Sequence, residues 1–391
     1  MRALTETKID FSKLTTPALV FDQAALIETV SVFGLRPEFS NVRILYSLKA
    51  SAEFGLLECV MPFVQGVSCS SAFEANLLNA SGSTKQIQIV SPGLSKRFLD
   101  SLMRVPELLT FNSIPQFDRL CGFTSPETRL AIRVNPKTQF VTNEKYDPCR
   151  HGSKLGVTVE KIAREFETNN LFRDRITGIH VHNNCESDDF EQLRQTVEML
   201  KPLLNSEFDI SWVNLGGGYE IAGVDFAPFG EIVNELANEY GLEVFFEPGG
   251  GLVRESGYLV STVVDIFDSD EESIAILDTA VNHAPEVFEY NWSPPVLAAV
   301  EGGKHQYTLA GCSCLAGDIF GRYGFDKPLS VGEKVVFSSL GAYAMPKWSY
   351  FNGINLPNVY LLTSDGELVL KKSFTFEDFA NRCGGSIVVA D

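Results

Sequence analysis

Residues 176–218 (ITGIHVHNNCESDDFEQLRQTVEMLKPLLNSEFDISWVNLGGG) decide the fold. They open on a short apolar run, 176–182, with β-type composition and no helical spacing. A helical pattern over 188–204 follows, then a second β-rich run, 209–215, that stops at three glycines. Strand, helix and strand in that order make a parallel βαβ unit. The same rhythm extends outward on both sides. Further runs are 42–47 (VRILYS), 63–68 (FVQGVS), 86–91 (QIQIVS), 107–112 (ELLTFN), 129–134 (RLAIRV) and 243–247 (EVFFE). Helical patterns over 72–80, 95–103, 157–167 and 229–240 separate them. With the first two, the runs number eight. Eight βα repeats predict an α/β chain whose parallel strands close into a (β/α)8 TIM-like barrel. A doubly wound open sheet is the competitor, and no early strand is followed by the G-x-G-x-x-G that would favour it.

After about residue 257 the rhythm changes. Strand-like runs at 258–267, 273–278, 306–310, 334–338, 359–362 and 368–370 are separated by turns rich in Gly, Pro and Asp. This predicts a C-terminal all-β domain. The run 16–21 (TPALVF) also reads as a strand that could pair with that domain. The expected domains are therefore a barrel over 24–257 and a β domain built from 1–23 and 258–391.

The 391 residues are 45% apolar, ample for a large core, and carry a net charge of −18. That charge argues against nucleic acid and against an anionic membrane surface. It fits a solubility role and leaves cationic small molecules open. No run approaches the about 18 apolar residues that span a bilayer. The N-terminal MRALTETKIDF lacks a signal pattern, so a cytoplasmic location is expected. The eight cysteines are scattered with no C-x-x-C pair, which reads as free thiols in a reducing compartment. Neither they nor the five histidines have zinc-ligand spacing, so no metal is expected.

Barrel enzymes carry their chemistry at the C-terminal ends of the strands. Here those ends hold Lys49, Ser68, Arg133, His182, Gly216–Gly218 and Glu247–Gly251. Each has an ordinary reading alone: a solvated lysine, a core histidine, a tight glycine turn. Together they hold an amine able to form an imine, an imidazole able to stack on a ring, and a carboxylate able to hold a ring N–H. Two glycine loops able to cradle a phosphate complete the set. Those are the parts needed to bind pyridoxal 5′-phosphate.

The ordered motifs TPALVFD, YSLKAS, GIHVHNNCE, LGGGY, EPGGG, GCSCLAGD, GAYAM and FNGI, over residues 15–365, resemble the fold-type III pyridoxal-phosphate decarboxylases. These are the relatives of ornithine, arginine and diaminopimelate decarboxylase. YDPCRHGSKLG, HNNCE and CLAGD are most similar to the carboxynorspermidine/carboxyspermidine group of that family. The resemblance implies that Lys49 carries the cofactor, His182 stacks on its ring and Glu247 pairs with the ring nitrogen, supported by Arg133. It implies phosphate contacts from Gly216, Gly217, Gly218, Gly249, Gly250 and Tyr343. It makes Cys314 the proton donor to the carbon that loses CO2. It implies a homodimer in which each β domain completes its partner's site.

For the substrate, Gly250 stands where diaminopimelate decarboxylases have an arginine for a second carboxylate. The acid that directly follows the cysteine in ornithine and lysine decarboxylases is displaced here to Asp318. The resemblance therefore implies a polyamine-like tail, with Glu186, Asp318 and Tyr146 as its contacts. Two other readings stay open. One is the same reaction on a 3-amino-3-carboxypropyl group of a microcin C-type natural product, or on another basic amino acid. The other is a pyridoxal-phosphate carrier without decarboxylase activity. Ser68 departs from the family, which has an acid on that strand, and this puts the positioning of Lys49 in question.

Overall fold

The computed structural model describes residues 11–141, 143–204 and 207–385. The chain divides into two compact units, one over Glu28–Leu252 and one from the stretches ending at Ile27 and beginning at Val253. The reading of the N-terminal leader falls on residues 1–10, outside the described residues.

The first strand, β1 (Ala18–Asp22), belongs to the second unit. The barrel strands are β2 (Val42–Ser47), β3 (Gly66–Cys69), β4 (Gln86–Val90), β5 (Leu108–Phe111), β6 (Arg129–Val134), β7 (Ile176–Val181), β8 (Trp212–Asn214) and β9 (Glu243–Phe246). They pair in parallel in chain order, and β9 returns to β2 to close the barrel. Both faces of each strand are covered, so the strands are nearly continuous apolar runs. Leu45, Leu108, Ala131, Trp212 and Phe245, from five of these strands, form one buried cluster. Trp212 lies so close to β7 that a Cβ at Gly178 would sit 2.0 Å from the indole. The helices are opened by local caps. Ser71, Ser95 and Ser113 each accept a hydrogen bond from the backbone N–H three residues on.

The second unit is a mixed sheet. Its strands are β10 (Gly257–Ser269), β11 (Glu272–Leu277), β12 (His305–Ala310), β13 (Ile319–Phe325), β14 (Lys334–Phe337), β15 (Asn358–Leu362) and β16 (Leu368–Lys372). The spatial order is β13-β12-β11-β10-β1-β15-β16, with β14 also on β10. The strand read at 16–21 is β1, and it lies between β10, antiparallel, and β15, parallel. Leu259, Val263, Leu277, Leu309, Phe320 and Phe337 are among its buried core residues. Elements of this unit that were not foreseen include β13 and short helices over Glu286–Tyr290 and Phe376–Arg382. Among the described residues, no helix is long and apolar enough to cross a membrane.

Candidate active site

Barrel closure places the ends of β2, β7, β8 and β9 side by side. Glu247 follows β9, and its backbone N–H donates to the Gly216 carbonyl at 2.6 Å. Its side chain is buried. One carboxylate oxygen accepts from Asn214 Nδ2 at 2.9 Å. The other pairs with His180 Nε2 at 3.3 Å. Burial pushes the carboxyl group toward its neutral form. The His180 contact, the Lys49 charge and a hydrogen bond from Ser68 outweigh it, so the group is held below the usual carboxylate range. The Asn214 amide also donates to Gln88 Oε1 at 2.7 Å, and its oxygen accepts from the Gly216 N–H at 2.8 Å. Glu247 therefore stands at the end of a buried polar chain, not alone in an apolar floor.

Lys49 lies two residues beyond β2. It keeps accessible surface although it is deep within the barrel unit. Burial lowers its pKa, opposed chiefly by Glu247. The effect is to make the amine more available as a nucleophile. Lys49 has no hydrogen-bond or ion-pair partner among the described residues.

His182 follows β7. Its Nδ1 accepts from the Gly217 N–H at 3.0 Å. Burial, reinforced by Lys49 and Arg133, drives its pKa well below the ordinary histidine value, so the ring is neutral with its proton on Nε2. The glycines make this approach possible. A Cβ at Gly216 would fall 2.3 Å from the Val181 carbonyl oxygen, one at Gly217 2.0 Å from that of Glu247, and one at Gly218 2.2 Å from that of Asn184. Gly216 and Gly218 also have φ of +67° and +94°. Gly249 packs against Ser47 and Ala50, and Gly250 begins the turn Gly250–Val253. The N–H groups of Gly218 and Gly249 have no acceptor among the described residues, which suits a bound anion. Arg133 is buried, donates to the His182 carbonyl at 3.2 Å and has no carboxylate at ion-pair distance among the described residues. Burial pulls its pKa down to about 10.

The barrel unit thus gathers Lys49, Arg133, His182, Glu247 and the two glycine loops. Glu186 is exposed on the loop after β7, with φ of +54°. That loop is tied down by Asn184 and Ser187, both bonded to Gln192. Tyr146 is half-buried in the loop after β6, with Lys145 Nζ 5.2 Å from its ring centre.

Cys314, Asp318 and Tyr343 belong to the other unit. Cys314 is exposed, and its N–H donates to Asn352 Oδ1 at 2.9 Å. Tyr343 is half-buried with φ of +55°. Asp318, expected as a substrate contact, also holds its own loop together. It is 3% exposed, and its carboxylate accepts from the backbone N–H groups of Val281 at 2.7 Å and Ser313 at 2.9 Å. A Cβ at Gly311 would lie 2.2 Å from the same carboxylate. Asp318 anchors the loop that carries Cys314 through one backbone donor at each carboxylate oxygen. His180, Asn214 and Gln88 were missed by sequence reading. His180 reads as a core histidine, and only strand register shows that it meets Glu247.

These residues fit pyridoxal phosphate. A reachable amine of lowered pKa, a neutral imidazole, a pinned carboxylate and a cradle that any Cβ would fill supply one partner for each part of the cofactor. Among the described residues, no cluster of His, Cys, Asp and Glu could hold a metal.

The comparisons agree with a pyridoxal-phosphate cofactor. Residues 31–261 match the model of the pyridoxal-dependent decarboxylase pyridoxal-binding domain. The chain is 31% identical to the carboxyaminopropylagmatine decarboxylase of Synechocystis, covering 95% of this chain and 96% of that one. It is 30% identical to the carboxynorspermidine/carboxyspermidine decarboxylase of Campylobacter jejuni, covering 95% and 99%. The crystal structure of the C. jejuni carboxynorspermidine decarboxylase with norspermidine superposes with a TM-score of 0.84 at 29% identity, covering 94% of this chain and 100% of that one. With the barrel closed and a lysine, histidine, glutamate and glycine cradle at its mouth, the chain belongs to the pyridoxal-dependent decarboxylases.

Proposed function

We propose that this enzyme removes CO2 from a carboxylated polyamine of the carboxynorspermidine or carboxyspermidine type. The observation that carries the reading is the state of Glu247, an ionised carboxylate pinned at both oxygens beside a lysine of lowered pKa. Bound pyridoxal phosphate supplies the sink for the electron pair left when the α-carboxylate departs. Lys49 would hold the cofactor through its amine, whose lowered pKa keeps it available to do so. Glu247 keeps the ring nitrogen protonated, supported by Arg133, and His182 covers the ring face. Gly216, Gly217, Gly218, Gly249, Gly250 and Tyr343 hold the phosphate. Cys314 delivers the proton to the carbon that has lost CO2, in a homodimer whose subunits share their sites. Glu186 and Tyr146 receive the cationic tail. The arginine that would hold a second carboxylate is replaced by Gly250, which disfavours diaminopimelate.

The Synechocystis relative favours a second substrate of the same build, a carboxyaminopropyl group on agmatine. Both share the reacting amino-acid end and differ in an ammonium or guanidinium tail. The test is CO2 release by purified protein with pyridoxal phosphate, offered carboxynorspermidine, carboxyspermidine, carboxyaminopropylagmatine, diaminopimelate and ornithine. The expected preference is for one of the first three. Preference for diaminopimelate or ornithine sinks the polyamine reading.

A further inference from the structure

We infer that His180 is a positioning residue: with Asn214 it clamps both oxygens of Glu247, fixing the direction and the negative charge of the carboxylate that meets the cofactor ring. This rests on the assignment of Glu247 to the ring nitrogen. His180 lies on β7, in register with Arg133 on β6 and Asn214 on β8. It is 1% exposed. Its Nε2 is 3.3 Å from Glu247 Oε2, while its Nδ1 is buried with no partner among the described residues. A proton on Nδ1 would be a buried, unsatisfied donor, so the ring stays neutral and its one proton sits on Nε2, aimed at Glu247. Burial lowers the His180 pKa in the same sense.

A neutral donor has a particular use here. An imidazolium would neutralise Glu247 and compete with the cofactor for it. A neutral N–H stabilises the ionised carboxylate and leaves its charge for the ring N–H. Asn214 does the same for the other oxygen and ties it, through the Gly216 N–H, to the glycine cradle. The remaining groups acting on the pair among the described residues are Ser68, which hydrogen-bonds Glu247, and Lys49, Arg133, His182 and Cys69. Lys49 and Arg133 are cationic, and neither donates a hydrogen bond to Glu247 among the described residues.

The test uses full-length protein carrying His180→Leu, His180→Gln or Glu247→Gln. Its readout is the dissociation constant of pyridoxal phosphate, followed by fluorescence across pH. Leu removes the donor, so binding weakens about tenfold and its acid limb moves up by about one pH unit, the equivalent of one charge-assisted hydrogen bond. Gln restores a donor and keeps both near wild type. A folded Leu variant with unchanged affinity and an unmoved acid limb overturns the inference. If Leu does not fold, His180→Met removes the same donor and reports the same quantities. If Glu247→Gln binds the cofactor as wild type does, the assignment of Glu247 falls and the inference falls with it.

Discussion

The Gly217 N–H donates to Nδ1 of His182 at 3.0 Å, and that contact selects one tautomer of a neutral ring. Gly217 achieves it by running directly against the backbone of Glu247, where a Cβ would lie 2.0 Å from the carbonyl oxygen. One residue thus links the stacking imidazole to the carboxylate loop.

Gly217→Ala must therefore push two loops apart. Overpacking of this kind costs about 1–3 kcal/mol. We expect a lower unfolding midpoint together with weaker retention of pyridoxal phosphate on dialysis. An alanine variant that holds the cofactor as tightly as wild type would show that the close approach is dispensable.

Asp318 offers a sharp choice between anchor and ligand. As an anchor, its replacement by Ala strands the Val281 and Ser313 N–H groups, at about 1–3 kcal/mol for each buried donor left unmade. Thermal stability and kcat should then fall alike for every substrate, because the loop bearing Cys314 loosens. A rise in KM confined to substrates with long cationic tails, with stability intact, would assign Asp318 the substrate-binding role.

His283 makes acid stability measurable. Burial holds its pKa down at about 4, against about 6.5 for the unfolded chain. Below 6.5 the unfolded state binds the proton that the folded state refuses, so stability is full above that pH and declines as pH falls toward 4. The loss between pH 7 and pH 5 is about 2 kcal/mol for this one group. His180 and His182 are shifted in the same direction and add to it. Denaturant midpoints for wild type and His283→Gln at the two pH values check this, and the variant should show a smaller drop.

Much of the barrel was readable because strands covered on both faces must be apolar throughout. The runs at 42–47 and 129–134 coincide with β2 and β6. Strand β13 was missed because Gly321, Arg322 and Gly324 break its alternation. It pairs with β12 across a register shift at Leu309/Ala310, and a bulge of this sort leaves little local trace. The helix Phe376–Arg382 is short, although its Thr375–Asp378 capping box was legible. In the site, Lys49, His182, Glu247 and the glycines stood at strand ends and announced themselves. His180 and Asn214 did not, because their meaning lies in which neighbours the barrel's pairing brings to them. Ser68 was read as a doubt about Lys49, whereas its hydroxyl bonds to Glu247. The backbone donors of Asp318 were not legible, because an acid in a polar loop carries no sign of which N–H groups fold onto it.

Strand β1 joins partners far apart in the chain, Leu19 facing Leu259 on one side and Val359 on the other. The barrel unit is one uninterrupted stretch and can fold as it leaves the ribosome, from N-terminus to C-terminus. Its companion sheet must wait, with β1 an open edge, until more than three hundred further residues have been synthesised. During that interval the nascent chain's most exposed point of failure is the β15-facing edge of β1, apolar over Ala18–Phe21, and a ribosome that stalls before Asn358 leaves that edge unpaired even when β10 is in place.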